Sequence, residues 1–336
     1  MFPNCCQIIY LLWTSPVLIP FPECFSRSLL STKTLHLRPR LYRPGTATEC
    51  EELAVGLTMM PALEELYLLN LPDFNIPKTL RRFSFTAPRD LPDAEFLARL
   101  YQLDALQDLR LSFTAGDTLV DESKIPFSLT NSSKSTGPWL PQLRILQVTI
   151  SRNSTFLNIF CSQILRACLS LEEVKLFGVG FTNDDILSIA TRSLRRISLC
   201  GSFNIFDEKL QWSSFCSLFE RTPQISEVNL DFELGLSPLT YENIESISTS
   251  CPRLEGIYLE TREMSEEDID VVKNEGSAAY LLDWLYCKSS PANDLIIERV
   301  TYCIPSRSVF ERDQRFLVDL TNFRRLTRSW SREEMM

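Results

Sequence analysis

A recurring leucine spacing constrains this chain more than any other feature. Eight times the pattern leucine, two residues, leucine, one residue, leucine returns, with apolar substitutes at some positions. The copies begin at Leu63, Leu80, Leu106, Leu143, Leu171, Leu194, Ile225 and Leu254. Successive copies are separated by 17, 26, 37, 28, 23, 31 and 29 residues. An apolar spacing that returns along the chain predicts a stack of similar units, each contributing a short strand.

The length of the units predicts that most of them also carry a helix. The separations scatter around the roughly 20–29 residues of leucine-rich repeats. Apolar residues at helical spacing lie between the strands, as in the set Trp212, Phe215, Cys216 and Phe219, and Thr182 with Asp185 matches a capping box. We therefore predict an α/β leucine-rich-repeat solenoid, a curved horseshoe with a parallel sheet on the concave side and helices and loops on the convex side.

The same pattern predicts the domain organisation. Residues 1–31 precede the first strand pattern, at Thr34 to Leu37, and are predicted to be an irregular or degraded segment. The solenoid is expected over residues 32–302, with a polar loop insertion at 114–138 that is rich in Ser, Thr, Asn and Gly. Residues 303–336 are expected to form a C-terminal cap or tail.

Composition narrows the classes of partner. The formal net charge is −9 and the pI is near 5.0, so the summed field repels phosphate backbones and disfavours a nucleic-acid partner. The apolar stretch before residue 26 is too short and too rich in proline to span a bilayer as a helix. It also has no Lys or Arg before Arg27, which counts against a signal peptide. We expect no membrane partner.

The cysteines favour a reducing compartment. There are 11, and no two CxxC pairs face each other as a zinc site requires. Cys168 and Cys251 each precede the next strand pattern by three residues, where a small apolar core residue is due. Buried free thiols indicate a cytoplasmic or nuclear protein.

Residues that could carry catalysis or hold a ligand are sparse. His36 is the one histidine of the chain, and it alternates with Leu35 and Leu37 at strand spacing, which is typical of a polar residue on an open strand face. No glycine-rich phosphate loop occurs. The acidic run from Glu266 to Asp270 lacks the ligand order of a calcium loop and suits a helix start. We predict no catalytic residue, no cofactor and no metal site, and hence no enzyme.

The candidate functional surface is the concave face of the sheet. Side chains that alternate with the core leucines point away from the stack, and acidic strands lie beside basic ones, so neighbouring strands can pair their charges. The candidate partner-binding residues are Glu65, Tyr67, Arg82, Arg110, Arg144, Gln147, Glu173, Lys175, Arg196, Ser198, Glu227, Asn229 and Tyr258. Mixed charge with Arg and Tyr suits a protein partner, while mutual neutralisation in a solvated face is the simpler alternative.

Two stretches resemble a known family. Residues 171–190, which read LEEVKLFGVGFTNDDILSIA, resemble the cysteine-containing leucine-rich repeat of the F-box proteins, a ribonuclease-inhibitor-like unit with a strand, an Ile-Thr-Asp turn and a helix. Residues 248–259, which read STSCPRLEGIYL, are similar to the helix end and next strand of the same repeat. The matching units extend from about Thr48 to Glu260, and no F-box is recognisable before Thr34.

The resemblance implies a function. Members of that family bind a substrate protein on the solenoid and serve as adaptors of SCF ubiquitin ligases. It implies a protein partner on the concave face, and a Skp1-type adaptor only if an F-box exists upstream. The alternative that stays open is an F-box-free scaffold or inhibitor protein unconnected with ubiquitin.

Overall fold

The structure is a computed structural model. It describes residues 8–13, 31–39, 57, 60–69, 76–87, 100, 102–113, 140–150, 155–180, 182–200, 210–231, 241–261, 301–304, 314–321 and 323–325. The polar insertion 114–138 and the acidic run at 266–270 lie outside the described residues. The chain separates into two compact units, Met1–Ser170 and Leu171–Met336.

The first unit is a ladder of parallel strands. Its strands are β1 (Ile8–Trp13), β2 (Thr34–Pro39), β3 (Glu65–Leu69), β4 (Arg82–Ala87), β5 (Asp108–Phe113) and β6 (Ile145–Ile150). Each pairs in parallel with the next along the chain. Helix α1 (Thr155–Ala167) follows β6. Parallel neighbours in chain order are what a stack of repeats produces.

The leucine spacing sets the register of this ladder. The second leucine of each repeat falls opposite the same position in the next strand, which aligns Leu35, Leu66, Phe83, Leu109 and Leu146 in one row. Every member of that row is at most 1% exposed. The third position forms a parallel buried row, which includes Leu68, Phe85, Leu111 and Val148. Strand side chains alternate between faces, so both rows lie on the core face.

A recurring turn leads into each strand. The first leucine of a repeat donates its backbone N–H to the residue three positions earlier, as Leu106 does to Leu103 at 3.0 Å and Leu143 to Leu140 at 3.0 Å. The two residues that follow Leu106 both donate to the carbonyl of Arg81 in the preceding repeat. The same contact recurs in other repeats, so the backbone at the start of each strand is satisfied by its neighbour.

The second unit repeats the design with more helices. It contains β7 (Glu173–Phe177), α2 (Asn183–Ser188), β8 (Arg196–Cys200), α3 (Trp212–Arg221), β9 (Glu227–Asp231), α4 (Tyr241–Ser250), β10 (Gly256–Thr261), β11 (Thr301–Ile304) and β12 (Gln314–Asp319). Strands β7 to β10 pair in parallel, and Val174, Ile197, Val228 and Ile257 align in one buried row. Both units are therefore α/β stacks of leucine-rich repeats.

The predicted helix signals are confirmed. The apolar set of α3, which is Trp212, Phe215, Cys216 and Phe219, is buried. At α2 the Thr182 hydroxyl accepts from the Asp185 backbone N–H at 3.2 Å, and the Asp185 carboxylate accepts from the Thr182 N–H at 3.0 Å. This reciprocal capping box satisfies two backbone donors that a helix start leaves open.

Two strands were not predicted from the sequence. Ile8–Trp13, within the segment assigned as irregular, forms β1 and pairs with β2. Gln314–Asp319, within the segment assigned as cap or tail, forms β12 and pairs antiparallel with both β10 and β11. Gln314–Asp319 lacks the leucine spacing and takes its strand form by pairing with available strand edges. In β1, Ile9 and Leu11 do have the apolar spacing, and they pair in register with Leu35 and Leu37. The predicted domain limits at 32, 302 and 303 remain predictions.

The C-terminal segment closes the last repeat. The guanidinium of Arg324 donates to three backbone carbonyls: to Ser248 at 3.1 Å, Leu254 at 3.0 Å and Cys251 at 2.7 Å. Val318, Leu320 and Phe323 from the same segment are buried. These contacts join the segment to the end of α4 and to the turn that leads into β10.

No helix in the described ranges is both long and apolar enough to cross a membrane.

Candidate partner-binding face

The candidate site is the sheet face opposite the buried leucine rows, which we call the open face. In the first unit one row of this face aligns His36, Tyr67, Ser84, Arg110 and Gln147. The adjacent row aligns Thr34, Glu65, Arg82, Asp108 and Ile145. Apart from Asp108, these side chains are half-buried or exposed. The register thus brings Glu65, Tyr67, Arg82, Arg110 and Gln147 together on one surface of the first unit.

Two rings stack at one side of this face. The His36 and Tyr67 rings lie 4.1 Å apart between centroids, with 5° between their planes. The prediction of His36 as a polar residue on an open strand face is confirmed, since Leu35 beside it is buried and His36 is half-buried. Burial raises the pKa of the Tyr67 hydroxyl, and the charge of Glu65 adds to the effect. The pair forms a flat aromatic platform between β2 and β3.

Ion pairs link neighbouring strands of the open face. Arg82 on β4 donates to Glu65 on β3 at 3.1 Å, and Thr34 on β2 donates to the other oxygen of Glu65 at 3.3 Å. The predicted pairing of acidic with basic neighbours is therefore confirmed here. With the Arg82 side chain 56% exposed, such a pair contributes about 0–1 kcal/mol to stability.

Asp108 and Arg110 pair within one strand. The Nε and Nη2 atoms of Arg110 donate to the two carboxylate oxygens of Asp108 at 3.0 and 2.9 Å. Alternate residues of a strand share a face, so the guanidinium can fold back onto a carboxylate two residues away. Asp108 is only 6% exposed because Arg110 covers it, while half of the Arg110 side chain faces solvent.

The last strand of the first unit adds both charge and apolar surface. Arg144 is exposed and directly precedes β6, so it lies at the strand start and not within the strand. Gln147 occupies the row of Arg110. Ile145 occupies the row of Asp108 and is half-buried on the open face. Ile145 was missed because the candidates were drawn from polar and aromatic residues only; its strand parity is the signal that places it.

In the second unit a buried carboxylate organises the open face. Glu173 is 6% exposed, accepts from Lys175 at 2.6 Å within the same strand and is paired with Arg196 of the next strand. The two cations satisfy a carboxylate that would be costly to bury alone. Lys175 and Arg196 remain partly exposed, so the cationic groups and not Glu173 are available at the surface.

A second row crosses the same face. Lys175, Ser198, Asn229 and Tyr258 align in register on β7 to β10, and all four are half-buried. Glu227 aligns with Arg196 in the adjacent row and is exposed. The second unit therefore places seven of the candidate residues on one face: Glu173, Lys175, Arg196, Ser198, Glu227, Asn229 and Tyr258.

Five cysteines belong to the core. Cys161, Cys168, Cys200, Cys216 and Cys251 are buried and form no disulfide. Burial raises the pKa of the Cys168 and Cys251 thiols to about 12, which keeps them protonated and unreactive. The Cys251 thiol donates to the carbonyl of Phe219 at 3.4 Å. The prediction that Cys168 and Cys251 fill core positions is confirmed. Within the described part of the chain, no group of three or more His, Cys, Asp or Glu is placed to hold a metal ion.

Comparison with known proteins identifies no family for this chain. No protein-family model matches the chain, and no curated protein matches it in sequence. Solved structures do match; one is the leucine-rich repeat-containing protein LegL7 from Legionella pneumophila, at 14% identity, covering 85% of this chain and 100% of that chain with a TM-score of 0.34. That score is too low to inform function. The assignment as leucine-rich repeats rests on the strand register of the chain itself.

Proposed function

We propose that this chain is a non-catalytic protein-protein interaction module that binds a protein partner on the open face of its repeats. The more specific role that we propose is a substrate-recognition adaptor resembling the F-box leucine-rich-repeat subunits of SCF ubiquitin ligases, in the cytoplasm or nucleus. The observation that carries the proposal is the row of half-buried and exposed side chains held in register opposite a fully buried core.

The two faces of the sheet differ in what they contribute to stability, and this difference supports the proposed role. Each buried leucine of the core rows stabilises the fold by about 1.5–3 kcal/mol, so the core supplies the stability of each unit. The open-face side chains make ion pairs that contribute little to it. A surface that stability does not require, built on rigid strands, is suited to recognition.

The chemistry of the open face also favours a protein partner. In the first unit it carries Tyr67 with partly exposed Arg82 and Arg110, and in the second unit it carries Tyr258 with partly exposed Arg196. Tyr and Arg are the residue types over-represented among interface hot spots, since they bring large contact area together with directional donors. Their carboxylate partners hold the guanidinium groups in place before binding, which lowers the entropic cost of association.

Variants of the second unit test the proposal. The full-length tagged protein is used to capture partners from its source cells, with quantitative mass spectrometry as the readout. Tyr258→Ala combined with Glu227→Lys should reduce capture of a specific partner by roughly 10-fold or more, the loss expected of a hot-spot residue. The control is Glu245→Lys, which makes the same charge change at an exposed position of α4. Equal capture by the open-face variant and wild type would overturn the proposal.

The same experiment separates the adaptor from its alternative. Co-capture of a Skp1-type adaptor together with the partner supports the ligase role. A partner that is lost in the open-face variant, but comes without any ligase component, favours the F-box-free scaffold or inhibitor.

A further inference from the structure

We infer that the open face of the first unit recognises a proline-rich segment of its partner, which crosses the strands in the polyproline II conformation. This inference rests on the proposed function and adds the chemistry of the partner. Three observations carry it: the aromatic platform of His36 and Tyr67, the uncharged polar groups that continue its row, and the pairing of the charges on the strands around it.

The aromatic platform offers a surface that a proline ring can contact. The His36 and Tyr67 rings are stacked 5° from parallel, with their centroids 4.1 Å apart. Both residues are half-buried, so neighbouring atoms hold the rings while part of each stays exposed. Aromatic surfaces suit proline-rich segments because such segments are already extended and lose little conformational entropy on docking.

The row of the platform continues with groups that can bind the carbonyls of such a segment. Ser84 on β4 and Gln147 on β6 align with Tyr67. Among the described residues, the Tyr67 hydroxyl, the Ser84 hydroxyl and the Gln147 amide have no hydrogen-bond partner, although all three side chains are half-buried. Burial raises the pKa of Tyr67, and the charge of Glu65 adds to the effect, so the hydroxyl keeps its proton and can donate. Because proline has no N–H, a proline-rich segment presents mainly acceptors and needs such donors.

The spacing of the donors matches the repeat of a polyproline II helix. Ser84 and Gln147 are two ladder steps apart, because β5 lies between β4 and β6. At about 4.8 Å per step, two steps separate them by about 9.6 Å. A polyproline II helix has three residues per turn and rises about 3.1 Å per residue, so equivalent carbonyls recur about every 9.3 Å. An extended β-strand instead repeats every two residues, at about 6.6 Å, which does not fit these two donors.

The charges on these strands favour an uncharged partner. Glu65 pairs with Arg82 at 3.1 Å, and Asp108 pairs with Arg110 at 2.9 Å, so each carboxylate on the strands already has a cation beside it. On the other side of the platform row, β4 to β6 carry half-buried hydroxyl groups, on Thr86, Ser112 and Thr149. A segment without charge can cross this surface and leave the existing ion pairs in place.

Fluorescence anisotropy with a defined peptide tests the inference. The probe is a rhodamine-labelled peptide of repeating Ala-Pro-Pro units, compared with the same peptide carrying Ser in place of Pro. Wild-type protein should bind the proline peptide and not the serine peptide, and added salt should change the affinity by less than about 2-fold. Tyr67→Ala should weaken binding by about 10-fold or more, and Tyr67→Phe, which keeps the ring, should weaken it less.

The second unit provides the matched control. Tyr258 is a half-buried tyrosine at the equivalent strand position, and Tyr258→Ala should leave the peptide affinity within about 2-fold. Ser84→Ala combined with Gln147→Ala should weaken binding by about 10-fold, because two hydrogen bonds are lost. Thr86→Ala combined with Thr149→Ala changes the neighbouring row on the same two strands and should stay within about 2-fold.

Several outcomes overturn the inference. They are absent binding of the proline peptide, equal binding of the serine peptide, equal losses for Tyr67→Ala and Tyr258→Ala, or tighter binding of a peptide of alternating Arg and Ala that Tyr67→Ala abolishes. If circular dichroism shows that Tyr67→Ala is unfolded, the double variant of Ser84 and Gln147 decides in its place. A cellular partner that is captured through Tyr258 but is insensitive to Tyr67 would remove this inference and leave the proposed function standing.

Discussion

Substitution of Arg324 should destabilise the second unit, although the residue lies far along the chain from the helix that it caps. Ser248 is in the last turn of α4, and the residue four positions later is Pro252, which has no N–H to donate. The Ser248 carbonyl accepts a hydrogen bond from Arg324 at 3.1 Å instead. The Leu254 carbonyl accepts from Arg324 in the same way that the Leu63 carbonyl accepts from the Thr79 hydroxyl one repeat on.

The expected magnitude follows from what the carbonyls lose. The Cys251 carbonyl keeps its bond from the Leu254 N–H at 3.0 Å, so its loss is partial. The Ser248 and Leu254 carbonyls lose the Arg324 donor, at about 1–3 kcal/mol for each buried acceptor left without one. Because Arg324 is only half-buried, water can replace part of the lost hydrogen bonding. We therefore expect Arg324→Ala to lower the free energy of unfolding by about 2–4 kcal/mol.

Urea unfolding followed by circular dichroism measures the cost, with Arg253→Ala as control. Arg253 is exposed near the same turn and should change stability by less than about 0.5 kcal/mol. Arg324→Lys, which keeps the charge but loses the fork of donors, should fall between them. Hydrogen exchange should quicken selectively in β10 and the end of α4. A loss for Arg324→Ala no larger than for Arg253→Ala would refute the reasoning.

Three further changes probe the rest of the fold. Leu109 is 0% exposed in the core, and Leu109→Ala should lower the free energy of unfolding in urea by about 2–5 kcal/mol. The control Leu169→Ala, where the side chain is 69% exposed, should cost less than about 0.5 kcal/mol. Similar costs for the two variants would argue against the buried leucine rows. Thr182→Ala should cost about 0.5–2 kcal/mol and Thr182→Ser much less, since the serine keeps the capping hydroxyl; equal effects would contradict the cap. Burial raises the pKa of the Cys168 and Cys251 thiols to about 12 from 9.0, so stability should be full below pH 9 and fall as pH rises toward 12, because the unfolded thiols ionise first. The free energy of unfolding, measured between pH 8 and 11, should decline less steeply in the variant that combines Cys168→Ala with Cys251→Ala. The same decline in the variant and the wild type would contradict this prediction.

Features that depend on local sequence were predictable. The capping box of Thr182 and Asp185 and the apolar stripe of α3 involve residues within two turns, so spacing alone reveals them. The parallel register was also predictable, because the same leucine position must reach the same core in each repeat. The pairing of Glu65 with Arg82 follows from that register.

Features set by distant pairing were not predictable. Strand β12 has no repeat spacing, and it takes its strand form by pairing with β10 and β11. Arg324 contacts carbonyls that lie 70, 73 and 76 residues earlier in the chain, and no local sequence pattern encodes such contacts. The burial of Asp108 goes with its two hydrogen bonds from Arg110, which the strand position alone does not reveal.

Site-specific photocrosslinking tests most directly whether the open face holds the partner. A benzophenone amino acid is placed at Ser198, half-buried on the open face, and separately at Ser213, exposed on α3. Both positions are serines of the second unit, so the two proteins differ only in the face that carries the probe. Irradiation in source cells should join the partner to the Ser198 probe and not to the Ser213 probe. Crosslinking of the same partner through Ser213 alone would contradict the account.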